Sequence, residues 1–333
     1  MNLSITKTKF RPFTLDDAKA TVAMFNAHYQ HLYGRDNYDL NEMINDWTSP
    51  GLDLEEVTRV VEGENGQIIG YFEVWDTTQP HVTKYVWAIL HPDLWNTILY
   101  QDMLIWIESC ARNRIELAPE NTRVVMSQGV PHKDEKRKAA LEAYGFKLVR
   151  HFFRMEIELN GASAQPTIPT GLQIMPIDLD SELEAAILAT EEAFEDHWGY
   201  VKSPLEELLE QWHHFIQNSD DFDPSMWFLA KDGDQIAGIC RSKGKMVEDP
   251  HLGWVSELAV RKPWRQRGLG MALLLTAFND FQQRGYKRVG LGVDATSLTN
   301  ATRLYEKAGM HVTQQYDTYE MEIRPGHDLA TRG

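Results

Sequence analysis

Cysteine is scarce in this chain of 333 residues, with only Cys110 and Cys240 present. A disulfide framework or a multi-cysteine zinc site therefore has no material, and a reducing compartment is the expected setting. No run of 18 apolar residues occurs, so nothing in the sequence reads as a membrane-spanning helix. Met1 to Phe10 carries Lys7 and Lys9 but no apolar stretch of the kind a secretory leader needs, which makes the cytoplasm the expected location. Basic residues are the minority, 33 against 49 acidic ones, for a net charge of -16. Such a surface repels polyanions, so neither nucleic acid nor an anionic membrane is expected as a partner. No chemistry in the sequence calls for a metal.

What is present begins with length. At 333 residues, 43% of them hydrophobic and 11% aromatic, the chain exceeds the usual single core and can fill two. The most informative segment runs from Trp254 to Gly270. Trp254 to Val260 is apolar and reads as a buried strand, while Met271 to Phe278 continues as a helix with an apolar face. Between them lies a basic, glycine-bearing turn at a helix N-terminus. Amides there lack intrahelical partners and carry the positive end of the helix dipole, so an anion is stabilised and a diphosphate fits. Gly268 and Gly270 allow its close approach. Neither a P-loop, which needs Gly-Lys-Ser/Thr, nor a dinucleotide fingerprint is completed here.

A faint duplication organises the rest. Asn65 to Phe72 resembles Gly233 to Cys240, Tyr85 to Pro92 parallels Val255 to Pro263, and Leu141 to Phe146 parallels Tyr305 to Met310. Offsets this long indicate a duplicated domain rather than a solenoid. The small, polar, proline-punctuated stretch 160–171 reads as a linker, dividing a first domain, 1–159, from a second, 172–333. In the second, a strand at Leu172 to Pro176 precedes a helix capped by Ser181 and ending near Phe194, then a helix from Pro204 to about Gln217.

The turn Arg265-Gln266-Arg267-Gly268-Leu269-Gly270, with Leu258-Ala259-Val260 before it and Leu304 to Met310 after it, resembles the acetyl-CoA-binding elements of the GNAT acetyltransferase superfamily. The resemblance implies an α/β (α+β) fold in two tandem copies, each a central, largely antiparallel twisted sheet with a splayed strand pair and flanking helices. It implies acetyl-CoA as co-substrate, held by Leu258, Ala259, Val260, Arg265, Gln266, Arg267, Gly268, Leu269, Gly270 and Met271. It also implies that the amide near Val260 faces the thioester carbonyl, and that Tyr305 protonates the departing thiolate. Glu257 is the candidate general base. An alternating strand puts it with Ala259 on one face and Ser256, Leu258 and Val260 on the other, and burial would raise its pKa; the alternatives are a carboxylate satisfied by a neighbouring arginine or by backbone, or one at the mouth that only binds a cationic substrate. Superfamily members often carry asparagine seven positions before the tyrosine, where this chain has Leu298, leaving Ser297 as a weak substitute.

The first copy has Asp93 to Tyr100 where the turn should be, without its glycines or arginines, so it is expected to have lost the cofactor. Packing, shaping the cleft or mediating association, a homodimer included, are the roles left to it. The expected reaction is transfer of an acetyl group to a primary amine of a small molecule by direct attack in a ternary complex. Phe194 to Tyr200 is a candidate acceptor wall. The alternatives are a non-catalytic acetyl-CoA sensor and an interaction module.

Overall fold

A computed structural model describes residues 9–161, 164–219, 222–296 and 301–332. The strands are β1 Lys9–Arg11, β2 Thr58–Glu62, β3 Ile68–Trp75, β4 Thr83–Leu90, β5 Val124–Pro131, β6 Lys147–Glu158, β7 Gln173–Pro176, β8 Trp227–Asp232, β9 Gln235–Lys243, β10 Leu252–Val260, β11 Arg288–Asp294 and β12 His311–Arg324. The helices are α1 Ala18–Tyr33, α2 Leu40–Trp47, α3 Leu54–Val57, α4 Thr97–Asn113, α5 Glu135–Tyr144, α6 Leu179–Phe194, α7 Leu205–Asn218, α8 Leu269–Gln283 and α9 Ala301–Lys307. Apart from the short α3, the order β-α-α-β-β-β-α-β-α-β occurs twice. This is the duplication in element form.

The chain forms two compact units, Met1–Val149 with Glu210–Ser219 and Asp317–Leu329, and Arg150–Leu209 with Asp220–Tyr316 and Ala330–Gly333. A single cut at 160–171 follows chain order, and these units do not. Arg150–Glu158 of β6 counts with the second unit because it pairs antiparallel with β11, from Phe152 opposite Asp294 to Glu158 opposite Arg288. In the first unit the strand order is β1-β2-β3-β4-β5 and then the C-terminal part of β12. In the second it is the N-terminal part of β12, then β6-β11-β10-β9-β8-β7.

Within each unit a parallel pair stands among antiparallel ones in the described registers, and each pair parts early. In the first, β4 meets β5 only over Thr83–Tyr85. In the second, β10 meets β11 over Leu252–Val255, leaving residues 256–260 without a strand neighbour on that side among the described residues. The hairpin turns expected at Asn65-Gly66 and Gly233-Asp234 are present, with Gly66 and Gly233 at φ 74° and 59°, where a side chain would be strained. Helix α6 starts earlier than expected. Asp178, not Ser181, is its N-cap and accepts from the Asp180 amide, because a carboxylate competes well for the first amides.

The core of the second unit is the apolar face of α8, Leu269, Leu273, Leu274, Ala277, Phe278 and Phe281, packed with buried residues of β8 to β11. Burying each of the larger side chains contributes about 1.5–3 kcal/mol, which fixes α8 and so the position of its N-terminus. Phe281 is accommodated because Gly253 has no Cβ; one would lie 2.1 Å from the ring.

Candidate active site

A cavity of about 800 Å³ in the second unit collects almost every residue the sequence singles out, including Ser256 to Val260, Arg265, Gln266, Gly268 to Met271 and Tyr305. Ser297 lies outside the described residues. The cavity opens where β10 leaves β11. Val255 pairs with Ser242 and Glu257 with Arg241, so Ser256 is an extra residue, a β-bulge that interrupts the simple alternation expected along the strand. Beyond it Leu258 opposes Cys240, Ala259 opposes Ile239 and Val260 opposes Gly238. The Arg261 amide donates to the Ala237 carbonyl at 3.0 Å. Antiparallel pairs alternate between hydrogen-bonded and not, so the main-chain groups of Leu258 and Val260 point away from β9, into the gap. An extended ligand can bond there as an added strand.

The turn that follows is built on Trp264, which is buried and donates from its indole nitrogen to Asp232 Oδ2 at 2.9 Å. Gln266 and Gly268 take left-handed conformations, φ 60° and 85°. Such a sequence of conformations turns successive amides toward one concave point, an anion nest. Gly268 is the N-cap of α8 and offers no side chain to the amides after it. Among the described residues, no amide from Gln266 through Met271 has a hydrogen-bond partner. Of these residues, Gln266 and Gly268 to Met271 line the cavity, where an anion can meet their amides.

Two side chains behave differently from expectation. Arg265 does not face the nest. Its guanidinium donates to the Val260 carbonyl at 2.9 Å, to the Ala193 carbonyl at 2.6 Å and to both oxygens of Asp196 at 2.5 and 3.0 Å. It braces the turn against β10 and α6 and holds the Asp196 carboxyl below its usual range. Arg267 is exposed and has no ion-pair partner among the described residues, so it is the turn's free cation. Glu257 accepts from Thr190 Oγ1 at 3.0 Å and is ion-paired with Arg241. Pairing with an arginine, an alternative the sequence left open for this carboxylate, is the arrangement present.

Tyr305 lies on α9, which ends as the sequence suggests, with Gly309 at φ 96° and the Met310 amide donating to the Tyr305 carbonyl. Its hydroxyl has no hydrogen-bond partner among the described residues, and burial keeps the phenol protonated well above its ordinary range. Nearby, burial pushes the Cys240 thiol up to about 12. The far wall comprises Phe152, Phe194, His197 and Trp198. His197 stands edge-on to Phe194 at 4.4 Å, and burial pulls its pKa below the usual value, with Asp196 opposing. Sequence reading missed Arg303 and Lys307, which line the cavity from α9. Their spacing on one helical face was the available signal. It also missed Thr190 and Arg241, whose partnership with Glu257 leaves no trace in spacing.

The matching place in the first unit is closed by the chain's own groups. Asn96 caps α4, accepting from the amides of Ile98 and Leu99 at 2.9 and 3.2 Å. The edge of β4 past its parallel pairing is occupied as well. The Tyr100 hydroxyl donates to the Ala88 carbonyl at 3.4 Å, and His28 Nδ1 lies 3.1 Å from the Leu90 carbonyl. No helix is long and apolar enough to cross a membrane, and no cluster of metal-binding side chains occurs among the described residues.

The profile described as "Acetyltransferase (GNAT) family" matches residues 187–310. A mycothiol acetyltransferase of Nocardiopsis dassonvillei is 29% identical over 178 residues, and the match spans about half of either chain, 51% of each. A crystal structure of a GCN5-related N-acetyltransferase from Sphaerobacter thermophilus is 31% identical, covering 97% of this chain and 98% of its own with a TM-score of 0.77. A tandem GNAT protein from the clavulanic acid biosynthesis pathway shares the fold at 12% identity, with a TM-score of 0.71 over 96% of this chain and 100% of its own.

Proposed function

Since the chain belongs to the GCN5-related N-acetyltransferase (GNAT) family, we propose that its second unit transfers the acetyl group of acetyl-CoA to a primary amine of a small molecule. The observation that carries this reading is the set of unpartnered amides from Gln266 to Met271, beside a strand whose free edge faces a gap. The amides and Arg267 take the diphosphate, Gly270 keeps the approach close, and Leu258 bonds the pantetheine arm, with the Val260 amide at its acyl end and the Val260 carbonyl held by Arg265. Arg265 acts by holding the turn in shape. The first unit, with Asn96 satisfying its own helix end, takes no cofactor.

The reaction is direct. A neutral amine nitrogen attacks the thioester carbonyl, the oxyanion is met by the amide near Val260, and the carbon–sulfur bond then breaks. An oxyanion donor of this kind contributes roughly 3 kcal/mol. The amine must first lose a proton, since a primary ammonium has a pKa of about 10. Glu257 accepts it, directly or through water, with Thr190 and Arg241 fixing its orientation. Tyr305 donates to the departing sulfur. Its raised pKa lets it donate a hydrogen bond without staying ionised, and the proton shed by the newly acylated nitrogen as the intermediate collapses ends on that sulfur, directly or by relay through Tyr305, so the products are the amide and free CoA thiol.

The test is a panel of amines with release of free CoA thiol as the readout. Deacetylated mycothiol is included because a relative is named for mycothiol. With the amine that reacts, Tyr305→Phe is expected to lower kcat by about 10²-fold and Glu257→Gln by about 10²–10⁴-fold, with acetyl-CoA affinity unchanged in both. Binding of acetyl-CoA without turnover of any amine or of the thioester itself selects the sensor reading. Failure to bind acetyl-CoA rejects both.

A further inference from the structure

A second cavity, about 470 Å³, lies in the first unit where the start of β2 meets the C-terminal end of α4. It owes nothing to the acetyl-transfer reading. Its wall includes Glu56, Arg59, Trp106, Asn113, Arg114 and Leu117. Arg59 is held in one orientation. Nη1 donates to the carbonyls of Glu55 and Thr58, both at 2.6 Å, and the guanidinium lies 4.5 Å over the Trp106 ring. Its Nε and Nη2 have no partner among the described residues.

Arg114 is likewise incompletely used. Nη1 donates to Glu56 at 3.1 Å, Nε is buried 3.4 Å from Asp76 without making a hydrogen bond, and Nη2 has no partner among the described residues. A guanidinium fixed with adjacent N–H groups open is the donor pair that meets both oxygens of one carboxylate or phosphate. Burial lowers the pKa of Arg59, a sign that its charge is under-compensated and that an anion would be welcome. The one acid on the wall, Glu56, is already engaged by Arg114. The wall thus presents two guanidinium groups against one carboxylate, with Asp76 behind Arg114 and no carboxylate paired with Arg59 among the described residues.

We propose that this cavity binds a small organic oxyanion, its carboxylate or phosphate seated on Arg59 and its apolar part against Trp106 and Leu117. The volume admits a metabolite-sized molecule. Benzoate and phenyl phosphate are the probes, titrated calorimetrically against the full chain. Binding of either at about 1 mM or tighter is expected, and the one preferred tells carboxylate from phosphate. Arg59→Gln is expected to weaken it at least about tenfold while acetyl-CoA affinity stays as in the wild type. Because Arg59 also ties two carbonyls, Asn113→Asp serves as a second variant, adding negative charge to the wall without touching those bonds. It is expected to weaken binding about threefold or more. The proposal is overturned if neither probe binds below about 10 mM, or if both variants bind as the wild type does.

Discussion

Glu73 is a buried carboxyl on β3 whose pKa is raised to about 7 by removal from water, although the Tyr71 hydroxyl donates to it at 2.5 Å. The consequence for stability has a definite sign. In the unfolded chain the group ionises near its ordinary value of 4.5, so between that value and about 7 the folded state binds more protons than the unfolded one. Stability contributed by this group is therefore full below about pH 4.5 and falls as pH rises to about 7, by roughly 3 kcal/mol in all. Glu73→Gln keeps an acceptor for Tyr71 and removes the charge. Chemical denaturation across pH 4.5 to 8 should show a shallower decline for the variant, and an unchanged slope would mean that the carboxyl is not desolvated as described. The same scale shows where residue identity failed as a guide. Glu257 and Arg265 were legible as members of the site, but Arg241, Thr190 and Asp196 decide what they do, and those partners are 16, 67 and 69 positions away in the chain.

Helix ends decide which unit is open to an anion. At α8 a glycine leaves the first amides bare, and at α4 Asn96 fills the same place with its own oxygen. Asn96→Ala should cost about 1 kcal/mol of stability by denaturation and leave acetyl-CoA affinity unaltered. Gly270→Asp should have the opposite profile. It sets a negative charge among the amides and a Cβ 3.2 Å from Leu304, so acetyl-CoA affinity should fall at least about tenfold by calorimetry, while an acidic residue in the first turn of a helix costs little stability. Equal affinity in that variant would place the diphosphate elsewhere. The strand, turn and helix were readable because each rests on local periodicity and glycine placement. The bulge at Ser256 was not, since an extra residue is defined only against the partner strand β9.

For the molecule as a whole, one chain should titrate with one equivalent of acetyl-CoA. Two equal sites by calorimetry would show that the occupied edge of β4 and the Asn96 cap do not close the first unit. The fold class, the candidate anion-binding turn and the catalytic tyrosine candidate were legible in the linear sequence because each rests on a local motif, and the duplication because such motifs recur at one long offset. The compact units were not. Which strands pair with β11 and which with β5 is settled by long-range main-chain hydrogen bonding, so Arg150–Glu158 and Asp317–Leu329 fall outside the division that composition suggests. The same holds for the gap beside β10, the bracing of Arg265 and the open arginines of the first unit's cavity. Sequence determines what each segment can form and which groups it carries. Only tertiary packing decides which of those groups are already satisfied, and an unsatisfied group is what a ligand binds.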